Sequence, residues 1–159
     1  RLIGENGSGK TTLMTLLAGL YRPKTGRVCF GAPIGQIRRS VAWQPQEGAV
    51  FSGTVWENLF LPEKKREQAQ NLLHEMGFEK SLDYEITSGG GNLSPGEQKK
   101  LLLVRALLRD ASFLLLDEPL NHLDEQGRVL LLSHLKERRG VLVISHQDLT
   151  ENNFVAYKL

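Results

Sequence analysis

The sequence has one cysteine, Cys29, in 159 residues. A single thiol excludes an internal disulfide framework and suits a reducing compartment. Its setting in "RVCF" predicts a small buried apolar residue rather than a reactive group. Long apolar runs are absent too. Stretches such as "FLLL" cover a few residues, against the ~20 that a bilayer-spanning helix requires, and no signal peptide is expected. Charge of one sign is not in excess: 20 basic and 18 acidic residues leave a net +2. That balance gives no argument for nucleic acid, and the clusters Lys64–Arg66 and Arg138–Arg139 read as solvated faces. Internal repeats and low-complexity tracts are also lacking.

What is present is an ordinary globular composition, 40% hydrophobic and 24% charged, in a length suited to one domain. Apolar spacing predicts helices over 13–20, 63–76, 98–109 and 126–138. Strands are predicted at "RVCF", at "RRSVAWQPQ", at "SFLLLD" and at "GVLVISH", the last two as buried parallel strands. Strands alternating with helices indicate a parallel α/β sheet. The helix-rich middle, about 57–108, reads as an insertion without a strand of its own. The chain opens on "RLIG", the tail of a strand, and closes on "NFVAYKL", a strand with nothing after it. It therefore reads as a module of a longer chain.

Two motifs carry chemistry on their own. "GENGSGKT", Gly4 to Thr11, matches G-x-x-x-x-G-K-[ST] between a strand and a helix. Its glycines let backbone N–H groups turn inward around phosphates, and the helix N-terminus adds positive potential. Lys10 is placed to reach the β- and γ-phosphates and Thr11 to ligate Mg²⁺. The alternative, a plain glycine-rich turn, leaves the lysine and threonine unexplained. "FLLLDEP" puts Asp117 at the carboxyl end of a buried strand, where open α/β sheets hold ligands. With a phosphate loop beside it, Asp117 would hold the metal and Glu118 would polarise the attacking water. Adjacent residues of an extended strand point opposite ways, which would separate the two carboxylates. His146 ends the next strand, "VLVISH", in a place where a ring could contact the γ-phosphate. Gln46 follows another strand and by itself reads as an exposed loop amide.

"LSPGE", Leu93 to Glu97, has the capping-box spacing from Ser94 to Glu97 and proline at the first helical position. Its free N–H groups and macrodipole make it an anion site as well as a cap. Gly96, without a side chain, would let a phosphate approach the backbone.

Taken together, these segments resemble the nucleotide-binding domain of ATP-binding cassette (ABC) proteins, in the family's order along nearly the whole chain. "GENGSGKTT" looks like the P-loop, "QPQEGAVFSGTVWENL" the Q-loop segment and "GGGNLSPGEQKKLLLVRALL" the signature motif and helix. "FLLLDEP" is similar to the Walker B strand, "NHLD" to the D-loop ending in Asp124, and "VISH" to the switch-histidine strand. The resemblance implies a P-loop NTPase sheet flanked by helices. Residues 1–56 and 109–159 would form the core, and 57–108 an inserted helical subdomain bearing the signature. It implies an ATPase that uses ATP and Mg²⁺, with Gly4, Asn6, Gly7, Ser8, Gly9, Lys10, Thr11 and Thr12 cradling the nucleotide. Thr11, Gln46 and Asp117 would serve the metal, Glu118 as base, His146 as switch, and Gln46 as the link to a membrane partner. Two such domains would meet head to tail, so that Ser94, Gly96 and Asp124 of one copy close on nucleotide held by the other.

The family's usual signature reads Leu-Ser-Gly-Gly-Gln, and here Pro95 and Glu97 stand in place of a glycine and the glutamine. "FSGTVWENL" and "GGGNLS" resemble the exporter branch, which places the domain on the cytoplasmic side of a membrane beside a transmembrane domain. The alternative is a soluble ribosome-associated translation factor of the same superfamily, whose D-loop segment "DEPLNHLD" resembles. A chromosome or DNA-repair head would need a long coiled coil between Lys10 and Ser94, and there is no heptad run.

Overall fold

The computed structural model describes residues 1–5, 7–29, 31–146, 149 and 154–159. In chain order the elements are β1 (Leu2–Ile3), α1 (Lys10–Leu17), α2 (Ile34–Ser40), β2 (Val41–Gln44), β3 (Gly53–Thr54), α3 (Val55–Leu59), a 3₁₀ turn (Glu63–Lys65), α4 (Arg66–Glu75) and β4 (Glu85–Ile86). A second 3₁₀ turn (Ser88–Gly90), α5 (Pro95–Leu107), β5 (Phe113–Asp117), α6 (Glu125–Lys136), β6 (Val141–Ile144) and β7 (Tyr157–Lys158) complete it.

The chain divides into two compact units. The first comprises Arg1–Gln46, Asp110–Pro119 and Arg138–Leu159. Its sheet is parallel throughout, in the order β2-β5-β6-β1-β7. β5 lies inside the sheet, between β2 and β6, with Leu114 and Leu116 at 0% exposure and Leu115 at 6%. Both faces are thus covered, which is why this strand is an unbroken apolar run rather than an alternating one. Met14 of α1 and Ala18 just after it pack with Leu2, Val41, Leu115 and Ile144. Each such buried side chain contributes roughly 1.5–3 kcal/mol over its exposed state.

The second unit comprises Glu47–Arg109 and Leu120–Glu137. It holds the short antiparallel β3–β4 pair and helices α3 to α6. α3 opens with a complete capping box from Thr54 to Glu57. α5 buries Leu101, Leu102, Leu103, Val104, Ala106 and Leu107, and α4 buries Ala69, Leu72 and Leu73.

Several expectations change here. "RVCF" forms no strand over Arg27–Cys29, and Phe30 lies outside the described residues. Among the described residues no strand pairs with Arg27–Cys29, and without a ladder that backbone gains nothing from extension. Cys29 is accordingly exposed, not buried. Residues 57–108 do contain a strand, β4, whose partner β3 precedes that span. Arg38 to Ser40 belong to α2 rather than to the strand that follows. Among the described residues of the terminal "NFVAYKL", Tyr157 and Lys158 form β7, paired with β1.

Candidate functional site

In the first unit, the loop from β1 to α1 turns on two glycines. Gly7 has φ +81° and Gly9 φ +91°, and a Cβ on either would meet nothing within 4 Å. Backbone conformation, not space, therefore demands glycine at both. Gly9 caps α1, whose first-turn bond runs from Leu13 N–H to the Gly9 carbonyl at 2.8 Å. Lys10 is 8% exposed and folds back over the loop, its ammonium donating to the Gly4 carbonyl at 2.9 Å and the Glu5 carbonyl at 2.7 Å. Two neutral carbonyls are weaker partners for an ammonium than an anion is. Ser8 is exposed in the loop, as are Thr11 and Thr12 at the start of α1. Asn6 lies outside the described residues.

The Thr11 hydroxyl donates to Asp117 Oδ2 at 2.6 Å. This bond joins the first turn of α1 to the end of β5, where Asp117 is 1% exposed. A hydroxyl and a buried carboxylate at that distance are a fitting pair of hard oxygen donors for Mg²⁺, which binds through one or two carboxylates plus substrate phosphates.

Glu118 follows with φ +45°. The chain is therefore not extended at this residue, and a left-handed turn rather than strand alternation sets the direction of Glu118 relative to Asp117. Such a conformation costs a non-glycine residue about 1–3 kcal/mol. It is held by the bond from Glu118 N–H to the Ile144 carbonyl at 3.0 Å. Glu118 is 6% exposed, and its Oε1 has no hydrogen bond. His146 Nε2 stands 3.5 Å from that oxygen, with its own side chain 61% exposed. The carboxylate is thus buried and unsaturated while the imidazole faces outward. Gln46 is exposed beyond β2, whereas Gln44, at the end of β2, is buried with its Oε1 unbonded.

In the second unit, Ser94 caps α5. Its hydroxyl accepts from Glu97 N–H at 3.2 Å, and Glu97 Oε2 accepts from Ser94 N–H at 2.8 Å. The preceding glycines have a local explanation. Gly89 and Gly90 take φ +68° and +73°, and the Gly90 carbonyl accepts from Gln98 Nε2 at 3.0 Å. Gly96 has one as well, since a Cβ there would stand 3.0 Å from the His122 carbonyl. Asp124 caps α6 through Oδ1, which accepts from Gly127 N–H at 2.8 Å, while Oδ2 accepts from Lys100 at 2.7 Å. Those two bonds, the Lys100 one first, hold its carboxyl below the ordinary range.

Two basic residues in this unit escaped the sequence reading. Lys100, buried on α5, pairs with Asp124. Lys80 pairs with Glu97. Burial alone pushes the Glu97 carboxyl up, but the bonds from Lys80 and Ser94 outweigh it and hold it below its usual value. No periodic signal marks either lysine, because each partner is distant in sequence.

A family model described as ABC transporter matches residues 1–121. The transport/processing ATP-binding protein ComA of Streptococcus pneumoniae is 35% identical over 138 residues, covering 77% of this chain and 19% of that protein. The zinc transport system ATP-binding protein TroB of Treponema pallidum is 35% identical over 167 residues, covering 93% of this chain and 61% of that protein. A solved bacterial Atm1-family ABC exporter with ATP bound superposes with a TM-score of 0.80 at 24% identity, over 92% of this chain and 29% of that one. The chain thus spans less than two thirds of the length of these proteins.

Proposed function

The chain belongs to the ABC transporter family, and on that premise we propose that it binds and hydrolyses Mg²⁺·ATP to drive a transmembrane exporter. The observation that carries the reading is the hydrogen bond between Thr11 and Asp117. It sets a hydroxyl and a carboxylate side by side, with the Lys10 ammonium over the same loop. Thr11 and Asp117, with Gln46, would hold Mg²⁺, which supplies charge neutralisation on the phosphates when bound. Gly4, Gly7, Ser8, Gly9 and Thr12 complete the cradle around Lys10.

Glu118 is the base that orients and deprotonates water. Burial with an unbonded oxygen leaves it free to accept that proton. His146, 3.5 Å away, holds Glu118 and the γ-phosphate end of the site in register. Its exposure lets it change partners as nucleotide arrives and leaves.

Two copies meet head to tail, with Ser94, Gly96 and Asp124 of one closing on ATP held by the other. The domain works on the cytoplasmic side of the membrane, and its membrane partner is a transmembrane domain. Phe51 and Phe60, 53% and 68% exposed and 6.1 Å apart edge to face, offer it an apolar patch. Residues 57–108, which carry the signature, form the helical part that relays closure. The export direction rests on "FSGTVWENL" and "GGGNLS". The translation-factor alternative has no support from ComA or TroB, both transport proteins by name.

The deciding experiment is sedimentation of the Glu118→Gln protein with saturating Mg²⁺·ATP. A stable dimer is expected, and a protein that stays monomeric rejects the head-to-tail reading.

A further inference from the structure

Resting on the reading of Ser94 to Glu97 as a phosphate clamp, we infer that Lys80 neutralises Glu97 and so keeps the α5 N-terminus attractive to a nucleoside triphosphate bound by a partner copy. Lys80 is a positioning residue in this role. It acts through Glu97 and needs no contact with the nucleotide.

The charge at this helix start decides the sign. The macrodipole provides about half a positive charge at the N-terminus. A full carboxylate at Glu97 reverses it, leaving roughly half a negative charge facing an anionic ligand. Adding the Lys80 ammonium returns the sum to about half a positive charge. A glutamine at this position would raise no such difficulty, and the chain carries glutamate instead.

The pair is built rather than incidental. Lys80 Nζ is bonded to Glu97 Oε1, and the two side chains are only 25% and 23% exposed. The ammonium stands 5.9 Å from the centre of the Phe78 ring and 5.4 Å from that of Tyr84. Phe78 is fully buried, and the Tyr84 hydroxyl accepts from Asn92 Nδ2 at 3.2 Å. Asn92 Nδ2 also donates to the Glu85 carbonyl at 2.8 Å, which fixes it. Most surface lysines give up rotamer freedom to form an ion pair. Here two rings lie within reach of the ammonium and favour the cation. The other Glu97 oxygen remains on Ser94 N–H, so cap and charge compensation use different atoms of one carboxylate.

The test uses the purified protein carrying Glu118→Gln, so that bound ATP persists. Lys80→Met keeps an unbranched apolar side chain and removes the charge. ATP-driven dimerisation is followed by light scattering, and ATP binding at the P-loop by fluorescence titration. Lys80→Met is expected to weaken dimerisation at least about tenfold at low salt, as an uncompensated charge close to phosphate should. It should leave P-loop binding unchanged, and the deficit should shrink at roughly 1 M salt, where screening reaches only about 3 Å. Adding Glu97→Gln to Lys80→Met should restore dimerisation. Glu97→Gln alone should tighten it, and an unchanged or weaker dimer counts against the inference even where Lys80→Met fails to fold. A Lys80→Met protein that melts lower yet dimerises like its parent overturns the inference and leaves a stabilising ion pair. If the parent itself stays monomeric with ATP, the clamp reading falls and this inference with it.

Discussion

The Thr11 hydroxyl sits 2.6 Å from Asp117 Oδ2, tying the first turn of α1 to the carboxyl end of β5. This bond makes Asp117 both a structural acceptor and the strongest candidate for the metal. Asp117→Asn keeps an acceptor for Thr11 and removes the charge. The fold should survive, and Mg²⁺ should lose most of its effect on ATP affinity. Titrations with Mg²⁺ and with EDTA check this; an undiminished Mg²⁺ effect would remove Asp117 from the site.

Lys10 donates to two loop carbonyls and is nearly buried. Lys10→Ala deletes a charge-assisted contact to phosphate worth about 1.5–3 kcal/mol, which is roughly a 10- to 150-fold loss of ATP affinity. Isothermal titration of the folded variant reads this directly.

Glu118→Gln should leave nucleotide binding intact and cut turnover by about 10²- to 10⁴-fold, the usual worth of a positioned general base. Phosphate release set against ATP affinity separates the two effects. A loss of affinity with turnover per bound ATP preserved would make Glu118 a binding group instead.

Ser94→Ala removes the α5 cap and should cost about 1 kcal/mol. For a chain of this size that corresponds to a melting shift of about 2–4 °C. The clamp reading adds that ATP-driven dimerisation falls well beyond this. If ATPase activity per folded molecule is unchanged, Ser94 is only a cap. Gly96→Ala is the harsher change, because its Cβ must displace the His122 carbonyl from 3.0 Å.

The carboxyls of Glu97 and Asp124 are both held below their ordinary values. A lowered folded-state value means stability that is present above the unfolded-state value and lost as pH falls through the folded one. Melting temperature should therefore be steady near neutrality and decline below roughly pH 4.5, where unfolded carboxylates begin to take up protons. Glu97→Gln should melt lower than its parent at pH 7, and the two should converge toward pH 3. A constant gap across that range would deny Glu97 any linked proton.

The chemistry was legible wherever it is local. Lys10 and Thr11 follow a glycine loop whose φ values only glycine takes readily, so the residues and the geometry are one statement. The Ser94–Glu97 capping box was equally readable, since both partners lie within one helical turn. "RVCF" misled because β-propensity is a prior that a strand realises only with a neighbour to bond, and Cys29 was misjudged with it.

The sequence by itself determined the glycine loop before α1, the buried strand ending in Asp117, and the capped start of α5, because short-range sterics and hydrogen bonding suffice for each. Tertiary structure alone decided the left-handed turn at Glu118, the approach of His146 to its carboxylate, and the pairing of Lys80 with Glu97 and of Lys100 with Asp124. Those contacts join residues with no shared periodicity, and they form only after the apolar faces of separate elements have packed and fixed where the chain returns.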